Sequence, residues 1–339
     1  MKDLKRIIIS RTDSIGDVIL TLPLAGILKV KYPRAKLFFL GRSYTEEVIA
    51  ACGHIDSFLN WDKISSAGRQ DGTSMLASVQ ADLIIHVFPR REIALMARKA
   101  KIPYRLGTTN RLYHWGNCNK LVRLSRRKSE WHEAQLNIKL ASGITGIKNL
   151  DLPEIGNMYG LKDTEPLNDD LKALIDPARK NIILHPKSKG SAREWGVDNF
   201  KKLIDLLPED RYKIFVSGTR EEGELLDPSG IFDHAKVTNV CGLMSLGQFM
   251  SFIRACDSLV AASTGPLHLA AALGIRAVGI YPPIRPMHPG RWAPLGPKAG
   301  FLVKGKKCND CSSGSKCTCM EEIEPVSVKK LLEEEFVGH

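Results

Sequence analysis

The chain has 339 residues, 43% hydrophobic and 25% charged, with a formal net charge of +12. This is an ordinary globular composition, and the length favours two domains over one. No apolar run reaches the roughly 18 residues that cross a membrane, and Met1–Ser10 leads straight into a strand pattern without the layout of a signal peptide. A cytoplasmic protein is expected.

In chain order, the first half alternates strand and helix. Strands are expected at Ile7–Ile9, Lys36–Leu40 and Asp82–Val87, and helices at Asp17–Tyr32 and Thr45–Ala51. Pro23 should bend or break the first of these helices. Continuous apolar strands suggest a parallel sheet covered on both faces. The Pro-, Asn-, Asp- and Gly-rich stretch Leu150–Pro177 reads as an exposed linker region. Alternation then resumes, with strands expected at Asn181–Leu184, Lys213–Ser217, Val237–Val240, Ser258–Ala262 and Ala277–Ile280. Helices are expected at Val197–Leu207, Glu221–Leu226, Leu246–Ala255 and Pro266–Leu273, with a charged helix at Ser327–Phe336. The expected organisation is an N-terminal α/β domain over 1–160, a linker over 161–180, a second α/β domain over 181–320, and a C-terminal helix within 321–339. Ligands of open parallel sheets bind outside the carboxyl ends of the strands, so two such domains facing each other would make a cleft with one ligand on each side.

The charge is concentrated. Residues 89–128 carry twelve Lys/Arg, from Arg90 to Lys128, against Glu92 alone. A solvated basic face is one reading; a surface for an acidic partner is the other. Tyr104, Tyr113 and Trp115 lie among these cations. Such interleaving fits nucleic acid, sugar stacking or an interfacial anchor. Cys308, Cys311, Cys317 and Cys319 cluster at spacings that, in a cytoplasmic protein, argue for thiol or metal chemistry rather than disulfides. Four thiolates there could hold a structural zinc.

Four loops at strand ends carry candidate chemistry. After the first strand, Ser10-Arg-Thr-Asp-Ser-Ile-Gly-Asp17 offers Asp17 as a catalytic carboxylate or as a favourable helix-start acid, with Asp13 a second candidate. The loop His185–Trp195 mixes Gly, Ser and cations, and Lys187, Lys189 and Arg193 could neutralise a diphosphate, although no Walker pattern is present. In Ser217–Glu222, either Glu221 or Glu222 could accept from ribose hydroxyls, or simply begin a helix. Finally Ser263-Thr-Gly265, with His268 one turn on, places hydroxyls and unpaired backbone N–H groups at a helix start, which suits a diphosphate.

Together these features resemble glycosyltransferase family 9, the bacterial heptosyltransferases of lipopolysaccharide core synthesis. The resemblance rests on Asp13-x2-Gly-Asp17 with Leu-Pro23 downstream, Trp131-His-Glu133, Leu184-His-Pro186 with Trp195, Ser217-Gly218, Thr264-Gly265-x2-His268-Leu-Ala-Ala271 and Tyr281-Pro-Pro283. It implies a GT-B architecture, two Rossmann-like domains facing across a cleft, and inverting, metal-independent transfer from a nucleotide sugar, ADP-heptose in the simplest case. Asp17 matches the family's catalytic base. Lys187, Arg193, Glu222, Ser263, Thr264, Gly265 and His268 would contact the donor; Asp13, Arg90, Arg91 and Arg123 would contact an anionic lipid-linked acceptor at the inner face of the cytoplasmic membrane. Nucleic acid is not expected as a partner, and zinc, if held by the cysteines, would be structural. Where the family usually has Asp before Thr-Gly, this chain has Ser263, which leaves the donor open. A related nucleotide-sugar enzyme such as an epimerase, or a non-catalytic nucleotide or glycan binder of the same fold, are the alternatives.

Overall fold

The computed structural model describes residues 4–126, 129–162, 165–305 and 318–334. The chain divides into two compact units, Met1–Asp163 and Thr164–His339. The first is built on six strands: β1 (Arg6–Ser10), β2 (Lys36–Gly41), β3 (Ser57–Asn60), β4 (Leu83–His86), β5 (Tyr104–Thr108) and β6 (Lys120–Val122). They form one parallel sheet in the order β3-β2-β1-β4-β5-β6. The second unit contributes β7 (Lys180–His185), β8 (Tyr212–Val216), β9 (Val237–Asn239), β10 (Ser258–Ala262), β11 (Arg276–Tyr281) and β12 (Ala299–Val303). Its sheet is also parallel, in the order β12-β11-β10-β7-β8-β9.

Counted within its own unit, each sheet has the doubly wound order 3-2-1-4-5-6. The chain reverses direction between β1 and β4 in one, and between β7 and β10 in the other. A crevice opens at such a reversal, outside the strand ends, because the two flanking connections depart to opposite faces. The central strands are apolar throughout: Ile7, Ile8 and Ile9 of β1 and Leu259, Val260 and Ala261 of β10 are fully buried, as strands covered on both faces require.

The first expected helix is two helices, Ile15–Ile19 and Leu22–Lys31. The break falls at Leu20–Thr21, ahead of Pro23, which sits in the first turn of the second helix where its missing N–H costs nothing. Asn137 closes the break by donating to the Leu20 carbonyl at 3.0 Å and to the Thr21 hydroxyl at 3.2 Å.

The boundary between the units falls within Leu150–Pro177, whose described residues are mostly exposed or half-buried. This stretch contains the helices Leu152–Gly156 and Asp169–Leu174, buries Ile155, Tyr159 and Leu171, and places Leu161 in a bridge with Cys52. The last helix, Pro325–Glu333, belongs to the second unit: Val328 and Leu332 pack with Phe200, Leu203 and Leu207 in its core. Trp195, fully buried in the same core, donates its indole N–H to the Ile323 carbonyl at 2.9 Å.

Candidate functional site

The loop leaving β1 is organised around Arg11, which is 3% exposed. Its Nε donates to Asp13 Oδ1 at 2.7 Å, one terminal nitrogen donates to Glu133 Oε1 at 2.9 Å, and the other pairs with Asp17. Glu133 is fully buried and is also paired with Arg126, whose other terminal nitrogen donates to the Val87 carbonyl at 3.0 Å. Two cations thus meet three carboxylates with little water between them. A guanidinium suits this position because its donors point along fixed directions and can serve several carboxylates at once. Burial opposes the charge on Arg11, but Asp17, Asp13 and Glu133 outweigh it and raise its pKa.

Three segments distant in sequence are joined here. Asp17 lies in the first turn of Ile15–Ile19. Its second carboxylate oxygen accepts from the Ser14 hydroxyl. Glu133 begins the helix Glu133–Leu140, which His132 caps by accepting from the Ala134 N–H at 3.3 Å. Asn137, four residues on and therefore on the same helix face, accepts from Arg11 at 3.4 Å. The Tyr44 hydroxyl donates to the Asp13 carbonyl and closes the loop from the other side.

The cations expected to meet an acceptor separate into two groups. Arg90 is spent on the loop: it donates to the Thr12 hydroxyl at 2.7 Å and to the Thr12 carbonyl at 3.3 Å. Arg91 and Arg123 are exposed. Asp13, expected as an acceptor contact, is held by Arg11 instead. Beneath the loop, His86 at the end of β4 is fully buried, and burial, aided by His114 and Arg105, pushes its pKa down to about 3. The imidazole is therefore neutral.

The second unit presents its residues at the equivalent reversal, after β7 and β10. In the loop after β7, Lys189 (φ 47°) and Gly190 (φ 76°) adopt the left-handed conformation. Glu194 ties this turn together, accepting from Lys187 Nζ at 3.0 Å and from the Ser188 N–H at 3.1 Å. Lys187 is thus already ion-paired, and Arg193 is half-buried in the same loop. After β8, Glu222 is buried and reaches back to the Thr219 N–H at 2.8 Å, while the Thr219 hydroxyl accepts from the Glu222 N–H at 3.3 Å. This capping box realises the helix-start reading of Glu222. His185, whose Nδ1 is 3.0 Å from the Ser217 hydroxyl, has its pKa lowered by burial, against the opposing pull of Glu222.

After β10 the helix Gly265–Ala272 begins with Thr264 at its N-cap and Pro266 in its first turn. The Thr264 hydroxyl does not cap the helix. It is buried and, among the described residues, has no hydrogen-bond partner. A buried hydroxyl left unpaired costs roughly 1–3 kcal/mol. Ser263 is half-buried, its side chain bonded to the Tyr281 hydroxyl, which also donates to the Trp292 carbonyl. His268 is buried one turn in. Thr264, Gly265 and His268 thus share the helix start, across the sheet reversal from the Lys187 loop.

No local pattern in the sequence singles out Arg11, Ser14, Asn137 or Arg126, and Glu133 stands out only as part of Trp131-His-Glu133. Their signal was weak because the partners of Arg11 lie up to 126 residues away. The cysteine cluster falls mostly outside the described residues. Of the four, Cys319 is described and packs in the core of the second unit with Met320 and Ile323. Among the described residues, no group of three or more His, Cys, Asp or Glu could hold a metal.

Two doubly wound α/β units, each with polar loops at its sheet reversal, define the architecture of GT-B sugar-nucleotide enzymes. The family model for glycosyltransferase family 9 (heptosyltransferase) matches residues 73–320, and the chain belongs to that family. It is a glycosyltransferase. Its sequence is 27% identical over 304 residues to a Haemophilus influenzae protein named as a glycosyltransferase, covering 86% of each chain. Among solved structures it is similar to a family 9 glycosyl transferase from Veillonella parvula, with TM-score 0.79, 20% identity and 98% of both chains covered. It is also similar to the ADP-heptose LPS heptosyltransferase II of Escherichia coli, with TM-score 0.73 and 21% identity over 97% of this chain and 98% of that one.

Burial raises the Asp13 carboxyl to about 6; Arg11 pulls it down and Asp17 pushes it up again. Because the folded value lies above the ordinary 3.8, this contribution to stability is complete below about pH 4 and is lost as pH rises through about 6. Asp13→Asn removes the dependence. Thermal midpoints measured across this range should shift in favour of the Asn variant as pH rises; parallel curves for the two proteins would contradict the assignment.

Proposed function

We propose that this enzyme transfers heptose from ADP-heptose to an anionic, lipid-linked acceptor of the lipopolysaccharide-core type, with inversion and without a catalytic metal. The observation that carries the reading is the Arg11 cluster, which fixes a carboxylate, Asp17, at the sheet reversal of the first unit. A carboxylate anchored through one oxygen presents the other in a constant direction, which general-base catalysis needs. The Ser14 hydroxyl, bonded to that second oxygen, marks where an acceptor hydroxyl would sit.

In this mechanism Asp17 takes the proton from the acceptor hydroxyl as its oxygen attacks the anomeric carbon. The bond from that carbon to the diphosphate oxygen breaks on the opposite face, and ADP leaves with the bonding pair. Attack opposite the leaving group inverts the anomeric centre. Charge builds on the diphosphate as it departs. Lys187, Arg193, the Thr264 hydroxyl and the first-turn N–H groups of Gly265 and Leu267 are the groups proposed to meet it. Cations and fixed dipoles of this kind stabilise a leaving diphosphate without a metal. Lys187 would exchange part of its pairing with Glu194 for the phosphate. Glu222 and His268 are proposed to contact the ribose and the sugar. Ser263, a neutral hydroxyl held by Tyr281, makes this side of the donor site less acidic than an Asp would. The ADP-heptose part of the proposal draws on the name of the Escherichia coli enzyme. Asp17 and the exposed Arg91 and Arg123 support an acceptor site on the first unit.

Asp17→Asn should lower kcat by roughly a hundredfold to ten-thousandfold while leaving the dissociation constant for ADP within about threefold. Single-turnover transfer and calorimetric titration measure the two; turnover close to that of the native enzyme would remove Asp17 as the base. Thr264→Val, which replaces an unpaired hydroxyl with a methyl of similar shape, should leave the ligand-free protein as stable or more stable. It should weaken ADP binding by about fivefold or more. A variant that is destabilised and binds ADP normally would show that the hydroxyl serves the fold instead.

A further inference from the structure

We propose that the short helix Leu112–Asn117 is a membrane-docking element, its Leu112 and Trp115 entering the interface of an anionic bilayer while the surrounding cations meet the headgroups. Leu112 is 89% exposed and Trp115 is 63% exposed. They stand three residues apart, on one face of the helix. Neither is exposed through fraying. The Trp115 indole N–H donates to the Thr109 carbonyl at 3.0 Å, so the ring is pinned while its surface faces water. The helix itself is held from below. Arg98 donates to the Gly116 carbonyl at 3.0 Å, Arg105 donates to the Asn117 carbonyl at 2.7 Å, and the buried His114 accepts from the Thr108 N–H at 3.0 Å. The outward-facing Trp115 ring is thus held in place before it binds anything.

Charge decides what would cover it. The sequence has no Asp or Glu between Ile93 and Ser129. Arg111, Lys120 and Arg123, which flank the helix in sequence, are exposed, as are Lys99 and Lys101 ahead of β5, and the end of the helix Arg91–Lys99 adjoins the docking helix through Arg98. Cations alone would suit any polyanion, and an apolar pair alone would suit a protein. An exposed Trp and Leu in a segment rich in Lys and Arg and without Asp or Glu fit a surface that is apolar inside and anionic at its rim, as a bilayer rich in acidic lipid is.

The placement agrees. The helix starts just beyond the carboxyl end of β5, the end of the first sheet that also carries the Asp17 loop, and Trp115 is held there by Thr109; its last residues run back to Arg105 near the start of β5. The His114 ring is 5.6 Å from that of His86, and His86 faces Ser10 in the strand register. Since β5 is two strands from β1, the strand ends that lead to the docking helix and to the Asp17 loop lie roughly 10 Å apart. A sugar carried on a lipid at that surface would have a short path to the base. In that respect the inference rests on the reading of the acceptor as lipid-linked.

The test uses the full chain and co-sedimentation with vesicles of phosphatidylethanolamine containing a third phosphatidylglycerol, against vesicles of phosphatidylcholine alone. Binding is expected to the anionic vesicles and to weaken with salt. Leu112→Ala with Trp115→Ala should lower partitioning by about tenfold or more. Arg111→Glu with Lys120→Glu should lower it as well. Because these side chains are exposed, thermal midpoints should hold, which separates lost binding from lost folding. A native chain that ignores anionic vesicles, a double alanine variant that sediments as the native chain does, or a native chain that retards RNA while ignoring vesicles would each overturn the proposal. Sugar transfer is measured separately. Transfer without vesicle binding overturns the docking proposal alone, and vesicle binding without transfer overturns the proposed function alone.

Discussion

The buried guanidinium of Arg11 is the constraint around which the first unit's site is built. A charge removed from water is tolerated only where partners replace its hydration, and removing one partner of such a pair costs about 3–5 kcal/mol. Here the partners are Asp13, Asp17 and Glu133, drawn from a loop, a helix start and a helix more than a hundred residues away. Arg126 adds a second cation on Glu133 and ties it to the strand connection at Val87. The cluster therefore joins segments that the sheet alone would leave independent. It also keeps Asp17 in one orientation, at the place where a doubly wound sheet opens toward a ligand.

The second unit repeats the topology and changes the chemistry. Both sheets share one strand order, so both expose loops after their first and fourth strands. In the first unit the loop after β1 carries Asp13 and Asp17 against a buried cation, and Arg90 after β4 bonds back to that loop. In the second these loops carry hydroxyls, cations and a helix start, with the Thr264 hydroxyl buried and unpartnered among the described residues. On the proposed reading, one architecture supplies a proton acceptor and, separately, a set of donors suited to a departing anion. The division of labour comes from a few residues at strand ends, while the cores stay apolar and alike.

Most of this architecture was legible in the sequence because the central strands are buried on both faces and read as uninterrupted apolar runs. The strands that escaped notice, β3, β5, β6 and β12, lie at or near sheet edges. Their partial burial admits Ser, Asn, Arg, Gly and Lys, which erase the apolar run. Within Leu150–Pro177 the Pro, Asn and Asp mark turns, and composition does not show that Tyr159 and Leu171 between them are buried anchors. The loop chemistry was half visible. Asp17 and Thr264-Gly265 stand in recognisable patterns at strand ends. Arg11 sits in the same loop, yet a single arginine in a polar segment reads as surface until Glu133 and Asn137 are brought to it. Nothing local to Asp13 shows that Arg11 pairs with it. Basic composition likewise could not separate Arg90 and Arg126, spent on backbone and carboxylate partners, from Arg91 and Arg123, which are exposed.

The central claim is that Arg11 acts on the reaction by holding Asp17, and replacing it with lysine tests this most directly. Lysine keeps the charge but offers a point cation that cannot serve three carboxylates in fixed directions. Steady-state transfer by folded Arg11→Lys protein should show kcat lower by about a hundredfold, with KM for the nucleotide sugar nearly unchanged. Native-like kcat in that variant would contradict the account.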